Sequence, residues 1–307
     1  MSGSGRFLCL GVGEILWDLL PTGKKLGGAP ANFAYHAGAL GAEAWVVSRV
    51  GADPLGWELE ERLRGLGLTT EGLSRDPSAA TGTVGVQLDA RGTPSYTIHE
   101  NVAWDFLTAE EPVMRMAARA DAICFGTLGQ RNPAARAAIR RLLSAAPAHA
   151  LRILDINLRQ HYWSRELILE SLALADVLKL NDEELPVVTK FLNGTDGGSD
   201  GLARLAERFR LRAVALTRGA RGSTLLLAGG SPVHHPGAQL TIADTVGAGD
   251  SYTAALALGL LHGQPAGEIL AFAHRVADYV CTQPGATPPL PAELRQHFSR
   301  GTERGGN

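Results

Sequence analysis

Short apolar runs without polar alternation recur along the chain at residues 7–12, 44–50, 122–125, 153–156, 177–180 and 213–216, with helical patterns between them. A strand that is apolar at every position has no solvated face, so each of these runs belongs inside a sheet covered on both sides. Crossover helices between parallel strands supply that cover. The helical patterns are legible: Pro133 opens an Ala/Arg-rich segment, Asp200 precedes Leu202, Leu205 and Phe209 at helical spacing, and Thr108 with Glu111 reads as a capping box before residues 113–120. The expected fold class is therefore α/β, a doubly wound, mainly parallel sheet flanked by helices.

Residues 83–96 break the rhythm. Val84, Val86 and Leu88 alternate with polar neighbours, and residues 89–92 carry turn composition, which predicts a half-exposed hairpin forming a small β appendage. Residues 193–201, NGTDGGSDG, read as a surface loop.

With 29 Lys plus Arg against 31 Asp plus Glu, the chain has no field suited to nucleic acid or an anionic membrane. The 3 cysteines, Cys9, Cys124 and Cys281, are scattered in apolar stretches, which indicates neither a disulfide framework nor a metal cluster and fits a cytoplasmic protein. The most apolar late stretch, residues 254–261, is far shorter than the roughly 20 residues that span a bilayer, and the polar residues 1–5 do not resemble an export signal.

Several familiar motifs fail. Gly11-Val12-Gly13 lacks the third glycine of a dinucleotide fingerprint, since Leu16 stands in its place, and no Walker A loop occurs. Gly197-Gly198-Ser199-Asp200-Gly201 matches the nucleophile elbow of serine hydrolases, with Asp244 and His262 following in order, but no buried strand precedes Ser199. His234-His235 reads as an exposed loop pair rather than a metal site, as no carboxylate or cysteine lies at ligand spacing.

The most informative segment is Asp244-Thr245-Val246-Gly247-Ala248-Gly249-Asp250, which runs into an Ala/Leu-rich helix. Glycines at a helix start expose consecutive amides at the positive end of the dipole and form an anion hole; close helix-to-strand packing would use the same residues. Asp250 adds a carboxylate where a bound phosphate would meet a hydroxyl, and such a base is what phosphoryl transfer to an alcohol requires. Earlier in the chain, Gly27-Gly28-Ala29-Pro30-Ala31-Asn32 leads into another helix, reading either as a ligand-facing turn or as an ordinary junction.

These two segments, with Asp155-Ile156-Asn157-Leu158-Arg159, Asn181-Asp182-Glu183-Glu184 and Thr217-Arg218-Gly219-Ala220-Arg221-Gly222, resemble the ribokinase-like sugar kinases of the phosphofructokinase-B type over nearly the whole chain. Gly13 to Asp18, residues 27–34 and Ala103-Trp104-Asp105 are most similar to the bacterial-type fructokinase branch.

The resemblance implies an ATP- and magnesium-dependent kinase acting on fructose, with ribose, 2-keto-3-deoxygluconate or a nucleoside as alternative acceptors. It makes Asp250 the base and the amides of Gly247, Ala248 and Gly249 the charge-stabilising hole. Asp18, Gly28, Asn32 and Trp104 would meet the sugar, although Trp17, Tyr96, Trp104 and Phe106 could equally bury the hinge of the appendage. Arg159 would reach a phosphate or the substrate, or stay a surface charge. Asn181, Glu184, Thr217, Gly219 and Gly222 would serve the nucleotide, Glu184 holding magnesium through water. His274 would lie near the adenine or be structural. Asp244, Val246 and Gly285 match loops that hold a monovalent cation, potassium, in many members. The implied organisation is a main α/β domain over 1–15, 33–80 and 107–307 with β lid segments over 16–32 and 81–106. A homodimer joined through the lids is among the assemblies it allows. A serine hydrolase using Ser199 and a non-catalytic sugar-binding protein are the rival readings.

Overall fold

The structure, a computed structural model, describes residues 6–21, 23–88, 94–192 and 199–298. The apolar runs become strands β1 (Leu8–Val12), β4 (Glu43–Gly51), β8 (Ala122–Phe125), β9 (Leu151–Asp155), β10 (Val177–Asn181) and β11 (Ala213–Thr217). With β5 (Leu73–Asp76), β12 (Ser223–Leu227) and β13 (Val233–His235) they form one sheet of order β13-β12-β11-β10-β9-β8-β1-β4-β5. The strands from β11 to β5 run parallel, and β12 and β13 add an antiparallel edge.

Ten helices connect and cover the described strands: α1 (Ala29–Ala39), α2 (Pro54–Gly65), α3 (Glu111–Ala117), α4 (Pro133–Ala145), α5 (Arg165–Leu174), α6 (Glu184–Lys190), α7 (Ser199–Phe209), α8 (Ala248–Leu261), α9 (Ala266–Cys281) and α10 (Ala292–Arg295). Each strand feeds two cores by its alternation. Leu10, Ile123, Leu154 and Leu178 point to the face covered by α3 to α7, whereas Cys9, Cys124, Ile153 and Val177 point to the face covered by α1, α8 and α9. Helix α8 lies inside that second layer and is buried at every residue from Ser251 to Gly259, which explains its lack of a polar stripe.

A second sheet, of order β3-β2-β6-β7, combines the antiparallel pair β2 (Leu16–Leu20) and β3 (Gly23–Gly27) with the hairpin β6 (Thr83–Leu88) and β7 (Pro94–Ile98). The turn assigned to residues 89–92 lies outside the described residues. The segments expected to form the lid, 16–32 and 81–106, are longer than this sheet. Residues 29–32 form the first turn of α1, and Ala103–Phe106 is a 3-10 turn packed on β4.

Other expectations change in structure. Thr108 caps no helix: α3 starts after Glu110, whose carboxylate accepts the Thr108 hydroxyl, while Glu111 pairs with Arg115. Residues 199–201 are the start of α7 rather than loop, and residues 193–198 lie outside the described residues. His234 and His235 belong to edge strand β13, where His234 Nδ1 meets Thr224 Oγ1 at 2.8 Å.

Candidate active site

A cleft of about 720 Å³ opens at the carboxyl ends of β9, β10 and β11 and runs under the second sheet. Parallel α/β sheets bind ligands at this end because loops and helix N-termini converge there. It brings together Asp18, Gly28, Asn32, Arg159, Asn181, Thr217, Val246, Gly247, Gly249 and Asp250 from segments distant in sequence.

The N-terminus of α8 forms the centre. Gly247 caps it at φ 81°, and a Cβ there would come within 2.5 Å of the Ala286 carbonyl oxygen, so glycine is required by the backbone itself. Gly249 differs: an added Cβ would meet only the Lys179 ammonium, at 3.1 Å, on the cleft side. Ala248 is the first helical residue between them and does not line the cleft.

Asp250 stands in the first turn, where Asn32 Nδ2 of α1 donates to its Oδ2 at 2.8 Å. Burial, reinforced by the negative charge of Asp155, pushes the Asp250 carboxyl up to about 6, against the pull of Asn32, Lys179 and Arg159.

Asp155 and Lys179 occupy neighbouring strands in direct register, on the strand faces that look toward α8. The Lys179 ammonium lies 3.0 Å from Asp155 Oδ1, and Thr253 of α8 donates to Asp155 Oδ2 at 2.8 Å. Burial opposes the lysine's charge, but Asp155 and Glu184 outweigh it and hold its pKa above the usual value. The arrangement places a fixed cation beneath the amides of the glycine turn.

At the opposite end Asp18 projects from β2 into the cleft, and burial raises its carboxyl against the attraction of Arg159 and Lys25. Gly28 sits at φ 113° with the Glu14 carbonyl oxygen 2.6 Å from where a Cβ would be, so its backbone packs against the turn before β2. Trp104 is 1% exposed in a small core with Leu16, Val84, Ile98 and Leu128, under the Arg131 guanidinium at 4.0 Å. It does not line the cleft and packs inside this small core. Trp17 is likewise buried, its indole donating to the Leu55 carbonyl at 3.0 Å, whereas Tyr96 lines the cleft.

At the nucleotide-side end, Asn181 Oδ1 accepts the amides of Glu183 and Glu184, each at 2.9 Å, which leaves its amide nitrogen for the cleft. Glu184 itself is buried: its Oε1 accepts the Leu158 amide at 2.9 Å and its Oε2 the Asn181 amide at 2.8 Å. It thus ties the loop after β9 to the end of β10. Gly222, at φ 84°, has the His235 carbonyl oxygen 1.9 Å from a would-be Cβ and is a backbone requirement of the β12 edge, while Gly219 faces open space. His274 is buried on α9, bonded to Ser223 Oγ at 2.8 Å and stacked on His235 at 4.3 Å, and does not line the cleft. Asp244, Val246 and Gly285 do converge: Asp244 accepts the amides of both partners at 3.1 Å, and the Lys25 ammonium lies 3.7 Å away.

The sequence reading gave Lys179 no role, and it named Asp155 and Glu14, which lines the cleft and is 4% exposed, only within motifs. The available signal was a charged residue inside or at the end of an apolar strand run, on the face that alternation assigns to α8.

A glycine turn at a helix start, a buried carboxylate and an internal lysine gathered at one cleft are groups of the kind that phosphoryl transfer to an alcohol uses. The pattern of the pfkB family carbohydrate kinases matches residues 21–293, and the chain belongs to that family. It is 31% identical to a fructokinase of Klebsiella pneumoniae over 91% of this chain and 95% of the relative. Its fold matches an uncharacterized sugar kinase from Pyrococcus horikoshii in complex with ATP, with a TM-score of 0.78, 28% identity, and coverage of 92% and 94% of the two chains. It also matches a Vibrio cholerae fructokinase double mutant in its fructose, ADP and potassium ion bound form, with a TM-score of 0.79, 25% identity, and coverage of 95% and 97%. The protein is accordingly an ATP-dependent carbohydrate kinase. Among the described residues no helix is long and apolar enough to cross a membrane.

Proposed function

We propose that this kinase phosphorylates fructose. The observation that carries the chemistry is the Asp250 carboxylate, fixed by Asn32 through Oδ2 so that Oδ1 remains to take the proton of the attacking sugar hydroxyl. The amides of Gly247, Ala248 and Gly249 and the Lys179 ammonium offset charge on the transferring phosphoryl group, which ATP supplies when bound. Asp18 and Asn32 hold sugar hydroxyls, and Arg159, which lines the cleft within electrostatic reach of Asp18 and Asp250, meets a phosphate or the substrate. The second sheet acts as a lid that excludes water, which would otherwise compete as acceptor. Gln160 ties it to the site by donating to the Tyr96 carbonyl at 2.8 Å.

Asn181 and Thr217 serve the nucleotide. Magnesium fits beside Glu184, whose oxygens each accept a single amide and retain a lone pair for metal-bound water. Potassium fits the loop of Asp244, Val246 and Gly285, in competition with Lys25 for the same carboxylate. The fructokinase from Klebsiella pneumoniae and the fructose-bound neighbour support the choice of sugar.

The test is ADP release from ATP and magnesium across fructose, ribose, 2-keto-3-deoxygluconate, adenosine and glucose, with and without potassium. Fructose is expected to give the highest kcat/KM; another panel member better by about tenfold, roughly 1.4 kcal/mol, overturns the choice of sugar. The serine-hydrolase reading finds no support, since the element that precedes α7 in the described chain is helix α6, closed by a turn at Phe191 and Leu192, and not a buried strand.

A further inference from the structure

Behind Asp250 lies a cavity of about 10 Å³ lined by Glu14, Ala29, Phe33, Cys124, Asp155 and Asp250. That is close to the smallest space that holds one water molecule. Glu14 enters it from the turn after β1, 4% exposed, and its Oε2 finds no hydrogen-bond partner among the described residues. The other two carboxylates are engaged, Asp155 by Lys179 and Thr253 and Asp250 by Asn32.

An orphaned buried carboxylate oxygen beside two further carboxylates is an expensive arrangement if all three are charged. It becomes a favourable one if Glu14 keeps its proton, because a carboxylic acid is a donor and the cavity offers it carboxylate acceptors. Burial, with Asp250 adding to it, raises Glu14 to about 7, against its own amide, Arg159 and the Ala29 amide at the start of α1. The charged and titratable groups around it are Asp250 on α8, Asp155 on β9, Cys124 on β8, Lys179 on β10 and Arg159 on the loop after β9.

We propose that Glu14 is a positioning residue for phosphoryl transfer that works as a neutral acid, donating across this cavity to hold the Asp250 carboxylate in place for the sugar hydroxyl. Ionised Glu14 withdraws that donor and sets a third negative charge behind the base and beside the site of the transferring phosphoryl group. Turnover is then limited from both sides, by protonation of Asp250 as pH falls and by ionisation of Glu14 as pH rises. The inference rests on Asp250 being the base.

The experiment measures kcat and both KM values between about pH 5.5 and pH 8.5 for wild type, Glu14→Gln, Glu14→Ala and Asp250→Asn, with thermal melts of each. Wild-type kcat is expected to drop at least about threefold from pH 6.5 to pH 8. Glu14→Gln, which keeps a donor and cannot ionise, is expected to lose that alkaline drop while keeping the acid limb. Glu14→Ala is expected to lower kcat at least about tenfold at every pH with the KM for ATP little changed. An alkaline limb that persists in Glu14→Gln, or its absence from wild type, overturns the proposal. A Glu14→Ala protein that melts lower yet keeps the wild-type kcat and pH profile shows a packing role only and also overturns it. Near-normal turnover by Asp250→Asn sinks the base assignment instead, whatever the Glu14 variants do.

Discussion

The two sheets of this molecule approach the same cleft under different constraints. The nine-stranded sheet is packed on both faces, and near the site its buried Asp155 is held by Lys179 and Thr253, while Glu184 at the start of α6 is held by two amides. The four-stranded sheet has one packed face over a small cluster around Trp104, while Leu19 and Tyr96 remain 38% and 54% exposed. Its β3 is fastened to the main body by Lys24 pairing with Glu58, and the neighbouring β2 by Trp17 bonding to Leu55. A region over-determined by burial can hold reacting groups to fractions of an ångström, whereas a half-packed sheet can open and close. We therefore expect changes at the main-sheet end to act on kcat and changes in the small sheet to act on the KM for sugar.

The strongest break of that comparison is Asp250→Asn, expected to lower kcat at least about 100-fold with sugar and ATP still bound, read by steady-state kinetics and by isothermal titration. Its stability moves the other way. The folded-state pKa of Asp250 is raised, so ionisation above about pH 6 weakens the wild-type fold, and the variant should melt higher at pH 8 with the difference gone below the unfolded carboxyl pKa. An equal melting difference at low and high pH contradicts the burial argument.

Gly249→Val is expected to fold and to lose about 100-fold in turnover, because its side chain meets the Lys179 ammonium and the phosphate position. Gly247→Val, by contrast, forces a β-branched residue to φ 81° against the Ala286 carbonyl and should lower the melting temperature as well as activity. Circular dichroism melts separate the two; similar melts for both would mean the turn relaxes as a unit.

The acid limb comes next in size. The base must be ionised, so kcat should fall about tenfold per unit below a pH near 6, and a profile flat to pH 5 would place the proton acceptor elsewhere. On the small-sheet side, Asp18→Ala should raise the KM for fructose at least about tenfold while leaving that for ATP within about twofold. Tyr96→Ala, at a half-exposed edge, should raise the sugar KM only about twofold to fivefold. A dominant kcat effect from either one would erase the division of labour between the sheets.

The legible parts of this fold share a physical cause. The parallel strands could be read because burial on both faces writes continuous apolar runs, and the glycine turn could be read because amides and a carboxylate at a helix start have few uses. Strands β2 and β3 could not be read as a pair. Their Asp18, Lys24 and Lys25 interrupt the apolar pattern, and their pairing is stabilised by Glu58, Leu55 and the parallel partner β6, all distant in sequence. His234 and His235 look like loop residues until β12 pairs beside them. Glycines were seen but not distinguished, since Gly222 answers to the carbonyl of His235 at the end of β13, Gly247 to that of Ala286, and Gly249 to a lysine.

The sequence by itself determined the α/β alternation, the two glycine-led helix starts and the placing of Asp250 in the first turn of one of them, because these follow from local periodicity and from chemistry carried within a few residues. Only the tertiary structure decided which charges surround that aspartate. Register sets Lys179 against Asp155, the start of α1 delivers Asn32, and the turn after β1 brings Glu14 into the same buried cavity. A carboxyl group's proton affinity depends on desolvation and on charges a few ångströms away, and those distances exist only once the chain has closed around it.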